Sequence, residues 1–212
     1  MPLTLRIAPL LAALTLLSGA PASAQKRPAP VDQIQLARQF FAQEGKCRGL
    51  LRDGRWKEAE ASCRESVRLA ELFADHRELE KKAAYASVGH ALMGQGSYRE
   101  AIKLYSRAVE VARPRLDDGD AELGDMFFNI ALAHHALRDL DAAREWYRKA
   151  EGTYRAAHSG VNEAELTEEG AEMKRGYLKA LKRVFEHHLR AAEEAGADAE
   201  VKDIRKQMAE LP

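Results

Sequence analysis

Apolar residues recur along this chain at the three- and four-residue spacing of amphipathic helices, and those helices come in a repeating order. Three stretches, beginning at Lys46, Val88 and Ile130, align without a gap at intervals of 42 residues. Each reads as an apolar-periodic helix, a short polar turn, and a second helix. The turns start at Gly54, Gly96 and Arg138, and two positions later stand Trp56, Tyr98 and Leu140. The second helices then carry Ala59, Ala101 and Ala143, next Cys63, Tyr105 and Tyr147, next Ser66, Ala108 and Ala150. Small residues at helical spacing let a neighbouring helix approach closely while bulky ones fill the grooves beside them, so each unit is predicted to be a two-helix hairpin.

Local signals agree with this partition. Gly54 and Gly96 suit the left-handed residue that ends a helix, and Pro114 stops the second unit. Asp32 with Gln35 and Ser97 with Glu100 have capping-box spacing, and Asp139 is placed to cap the third unit's second helix. Beyond Gly160 the period fails. A long helix is expected to start at Asn162 with Glu165 and to run to about Glu194, and Asp198 is expected to open a last helix with Val201, Ile204 and Met208 on one face. The stretch from Phe185 onward reads as a degenerate fourth hairpin that caps the array; the alternative is a coiled-coil arm that dimerises.

The run Gly96, Tyr98, Ala101, Tyr105 and Ala108, with Gly89 in the preceding helix, resembles the tetratricopeptide repeat. The likeness spans about Gln33 to Ala157, and the 42-residue spacing is similar to the long-helix variety of kinesin light chains. HEAT and armadillo arrays share periods of this size, but the turn glycine and the alanine ladder favour the tetratricopeptide form. It implies an all-α, right-handed α-solenoid of antiparallel hairpins, closed by a long C-terminal capping helix. It also implies a concave groove lined by the first helix of each unit: Phe41, Glu44, Arg48 and Arg52; then Ala83, Ala86, His90 and Met93; then Asp125, Phe128, Asn129, Leu132 and His135. Family members that grip a peptide's terminal carboxylate use Lys, Asn and Arg in such places. Glu44 and Asp125 stand there in this chain, which points to a ligand of mixed charge.

Composition adds the compartment. Arg6, an apolar run from Ile7 to Leu17 and the small residues Ala22-Ser23-Ala24 read as a signal peptide cut after Ala24. The organisation expected is therefore a leader at 1–24, a flexible linker at 25–31, three hairpins at 32–160, and the long helix with its capping hairpin at 161–212. The destination is periplasmic or secreted, with no membrane span after cleavage. Cys47 and Cys63, each about eight residues from the first turn, are expected to meet across the hairpin as a disulfide in an oxidising compartment.

The whole chain balances 33 basic against 33 acidic residues, interspersed, which argues against nucleic acid as a partner. The adjacent pairs His134-His135 and His187-His188 point about 100° apart on a helix and cannot clamp one metal together. No phosphate loop, zinc signature or nucleophile elbow is present in the sequence, so neither cofactor nor catalysis is expected. The expected role is to hold another protein or peptide; self-association as a homodimer through the C-terminal helix is the alternative. One substitution tests the alignment itself. Ala101→Arg, which puts an unpaired charge on the ladder, is expected to cost several kcal/mol and to abolish the native melting transition.

Overall fold

The computed structural model describes residues 30–73, 77–161 and 167–212, with side chains from 33 onward. The predicted leader, nearly all of the linker, and Asn162 with Glu165 lie outside the described residues. Eight helices follow in order among those described: α1 (Pro30–Arg52), α2 (Trp56–Glu71), α3 (Glu78–Gly94), α4 (Tyr98–Ala112), α5 (Ala121–Ala136), α6 (Leu140–Gly160), α7 (Glu168–Glu194) and α8 (Asp198–Ala209). Each packs on its chain neighbours, giving four hairpins stacked into a solenoid. Helix α1 starts at Pro30, a residue preset for the first helical position. Asp32 therefore sits inside the first turn of α1 and not at its cap.

The hairpins share one turn. The residue that leaves the first helix is left-handed at Gly54 (φ 69°), Gly96 (φ 74°), Arg138 (φ 64°) and Gly196 (φ 67°). In all four, its amide and the next one bond back to the helix end, as Gly96 does to Met93 (3.0 Å) and Ser97 to Leu92 (2.9 Å). This satisfies carbonyls that would otherwise be orphaned. Arg138 adopts the same backbone without being glycine, and its guanidinium pairs with Glu194 of α7.

The caps depart from the reading above. Ser97 makes no side-chain cap; its backbone (φ −81°, ψ 55°) is not extended, and the short hydroxyl does not reach a helix amide. Asp139, one atom longer, accepts from the Ala142 amide at 3.4 Å. Asp120 caps α5 and Thr167 caps α7, which begins at Glu168.

The ladder residues Ala59, Ala101, Ala143, Cys63, Tyr105 and Tyr147 have no exposure at all. Gly89 is required where it stands, because a Cβ there would lie 2.9 Å from the Tyr105 ring. Cys47 and Cys63 face each other across the first hairpin with Cα atoms 5.0 Å apart, within disulfide range.

The fourth hairpin closes the array. Gly196 comes 58 residues after Arg138 rather than 42, and the extra length extends both the end of α6 and the start of α7. The C-terminal half buries Leu181, Val184, Phe185, His188, Ala191 and Ala192. His188, 1% exposed, is held by Glu151 of α6 (Nδ1 to Oε1, 2.6 Å) and Glu200 of α8 (Nε2 to Oε1, 2.9 Å). Arg144 donates to the other Glu200 oxygen at 2.6 Å. This cluster ties three helices together at the cap.

Two predictions follow from the turns and the cap. Gly96 has open space around it, so Gly96→Ala exposes the conformational cost alone, about 1 kcal/mol. Arg138→Gly removes that cost but loses an exposed ion pair worth under about 1 kcal/mol, and is expected to stabilise by about 0.5 kcal/mol; urea denaturation of both checks the opposite signs. For the cap, burial pushes the Glu200 carboxyl up, but hydrogen bonds from Arg144 and His188 outweigh it and hold it below the usual range. A depressed carboxylate contributes stability that is present above its unfolded pKa and lost as pH falls. Urea midpoints should therefore drop less steeply between about pH 5 and pH 3 in Glu200→Gln than in the wild type.

Candidate interaction groove

The first helices α1, α3, α5 and α7 lie side by side, and positions 42 residues apart on α1, α3 and α5 line up across the concave face. Near the turn end of α1 and α3 a cavity of about 840 Å³ is formed by Arg48, Leu51, Arg52, Trp56, His90 and Met93, with Gly45 and Gly94. Its floor is apolar. Its rim carries the exposed Arg48 and Arg52, and neither has an ion-pair partner among the described residues. A smaller cavity of about 300 Å³ adjoins it between α1, α3 and α5. Leu51 occupies in α1 the place Met93 holds in α3, and the 42-residue spacing could have found it. Trp56, 37% exposed, reads in sequence as a turn-packing residue; only the folded chain brings it to the cavity.

The expected groove positions separate into two groups. Arg48, Arg52, Met93, Ala83, Ala86, His90 and Asn129 line the two cavities. Phe41 is 54% exposed and stands edge-on to Phe40 at 5.3 Å. Glu44 also lines the smaller cavity, from within its wall: it is 4% exposed and accepts a hydrogen bond from Ser87 Oγ at 2.7 Å. It is part of the wall, so the repulsion of acidic tails falls to the exposed Asp125, which accepts from Tyr154 Oη at 2.5 Å.

Phe128, Leu132 and His135 belong instead to the contact with the fourth hairpin. Phe128, 4% exposed, lies under the Arg183 guanidinium at 4.7 Å and beside the His187 ring at 5.3 Å. Leu132 packs against the core shared by the third and fourth hairpins. His135 places Nε2 3.3 Å from Glu194 and Nδ1 3.3 Å from Tyr147 Oη. Both cavities lie among α1, α3 and the near side of α5, while Phe128 and His135 also meet α7. The sequence pattern could not show this, because the 42-residue period breaks before α7.

Histidines in and near the groove are structural or desolvated. His90 stands at the surface, yet the concave wall surrounds its ring; this desolvation holds its pKa below the usual imidazole value, against the opposing pull of Asp125. His187 is lowered in the same sense, first by burial and then by Arg190. Of the adjacent pairs, His188 is buried and His187 partly so, while His134 and His135 are both partly buried. Burial also raises the phenols of Tyr105 and Tyr147. Among the described residues no group of three or more His, Cys, Asp or Glu side chains could hold a metal ion, and no helix is long and apolar enough to cross a membrane.

Comparison with known proteins agrees with this geometry. Residues 81–156 match the tetratricopeptide repeat family model. Among solved structures, the tetratricopeptide domain of Arabidopsis FLU superposes with a TM-score of 0.50 at 23% identity, covering 54% of this chain and 93% of that one. BtubC (BKLC) from P. vanneervenii gives 0.51 at 17% identity, covering 86% and 85%. The putative kinesin light chain repeats of Podosopora anserina give 0.48 at 14% identity, covering 82% and 94%. Among curated proteins, none matches the chain in sequence. Residues 81–156 match tetratricopeptide repeats, and the described residues fold as a tetratricopeptide-type solenoid.

Proposed function

We propose that this chain is an exported binding module that holds another protein or peptide of the cell envelope in its concave groove. The observation that carries the reading is the cavity under Arg48 and Arg52: an apolar floor of Leu51, Trp56 and Met93 beside two arginines that no carboxylate of the described chain engages. Aromatic, Met and Arg side chains in a concavity are the types that dominate protein hot spots. The periplasmic or secreted location rests on the leader-like pattern before Ala24 and on the facing cysteines, which an oxidising compartment would bridge. A binding role, not a catalytic one, suits a repeat fold whose function lies in an extended surface.

A second reading has one observation behind it. The N-terminal half of α7 buries no side chain before Leu181, and Met173 there is 48% exposed, so this segment is the place for a homodimer to form.

Capture from native envelope extract tests the first reading. The Arg48→Ala/Arg52→Ala pair is expected to weaken the captured partner by about 1 to 3 kcal/mol with helicity unchanged; equal affinity would remove the groove assignment. Light scattering tests the second, since a dimer should become a monomer in Met173→Glu. The bridge is checked by mass spectrometry of exported protein alkylated without reduction, where two free-thiol adducts would exclude it.

A further inference from the structure

The smaller cavity between α1, α3 and α5 has an unusual wall. Glu44 and Tyr105, 4% and 0% exposed, both line it, and each carries an oxygen with no hydrogen-bond partner, Oε2 of Glu44 and Oη of Tyr105. Buried polar atoms are ordinarily paired, because leaving one unpaired forfeits its hydration without return. The two residues come from different helices, α1 and α4, their unpaired oxygens sit in the wall, and the cavity they line is about 300 Å³, a volume suited to a single side chain.

The repeat shows that packing does not demand either orphan. At the place of Glu44, α3 has Ala86 and α5 has Phe128, so a hairpin closes without a carboxylate there. At the place of Tyr105, α6 has Tyr147, whose hydroxyl lies 3.3 Å from His135 Nδ1. Met93 stands in α3 where α5 has His135, which leaves the Tyr105 hydroxyl unserved.

The charges indicate what would complete the wall. Lys82, the other buried cation here, is already engaged by Glu122, and desolvation favours the neutral form of His90. Arg48 is exposed on the rim. The free valences are mostly acceptors: Glu44 Oε2, the lone pairs of Tyr105 Oη beside its one O–H, and at the mouth the Asp125 oxygen that does not already accept from Tyr154. A guanidinium, planar and with five donors, matches several acceptors at once better than an ammonium does. We infer that this cavity receives an arginine side chain of the bound polypeptide, its guanidinium donating to Glu44 and Tyr105 with Asp125 at the entrance. The assignment rests on the groove-binding reading above and specifies the partner's chemistry: arginine in the small cavity, with apolar and acidic groups on the floor and rim of the larger one.

The probe is N-acetyl-arginine methylamide, with the glutamine counterpart as control, titrated into the full folded chain carrying methyl labels on Ala and Met. Saturable shifts are expected at Ala83, Ala86 and Met126, with at least about tenfold weaker binding of the glutamine probe. Glu44→Gln should weaken the arginine probe by about tenfold or more and Tyr105→Phe by about threefold. Glu44→Gln should also melt at or above the wild-type temperature, because it removes a buried charge that the protein alone does not pair; this separates loss of binding from loss of fold. Equal binding of both probes, indifference to Glu44→Gln, or no saturable shift at about 20 mM arginine probe would overturn the assignment. A captured partner weakened by Arg48→Ala/Arg52→Ala but not by Glu44→Gln would overturn it while leaving the groove reading in place. Binding of the probe without any captured partner would support the cavity and count against that reading.

Discussion

The architecture depends on one backbone conformation, the left-handed residue that ends each first helix. With φ between 64° and 74° at Gly54, Gly96, Arg138 and Gly196, the chain reverses in the same three residues every time, and the second helix starts in the same register. That register puts Ala59, Ala101 and Ala143 at zero exposure and lets Tyr105 and Tyr147 lie across the preceding helix. Had the turn varied, the small and bulky positions would not have met, since a shift of one residue rotates a helix face by about 100°.

The cap solves a different problem. A solenoid needs its last unit to bury one face and hydrate the other. Here α8 exposes Lys202, Asp203 and Lys206 while Ile204 is buried. The polar cluster of Glu151, His188, Glu200 and Arg144 joins α6, α7 and α8 where the other hairpins use apolar contacts. Such a cluster is costly to break because each removed partner strands another buried group. It also holds α7 against Phe128 and His135 of α5.

Along that open face, stability and binding draw on different atoms of the same helices. Val88, Ala91 and Leu92 of α3 serve the core, while Ala83, His90 and Met93 face the cavities. Glu44 and Tyr105 lie between the two roles. They are buried as core residues are, and each keeps an unpaired oxygen beside the cavity.

The helix spacing, the turn residues and the 42-residue period were sufficient to define three hairpins and the facing of Cys47 with Cys63, because these depend on contacts close in sequence. The positive φ at Arg138 was not legible from its residue type; only the hairpin's geometry imposes it. Nor was the failure of the Ser97 cap, which turns on a backbone angle that propensity does not specify. The contacts of Phe128 and His135 with α7 came from tertiary structure: these residues share the positions of Ala86 and Met93 in the repeat, but α7 is reached through a break in the period. The burial of Glu44 against Ser87 and the arrival of Trp56 at the cavity have the same cause. Local pattern determines which face of a helix is apolar, whereas the identity of the neighbour that meets it is decided only when distant segments pack together.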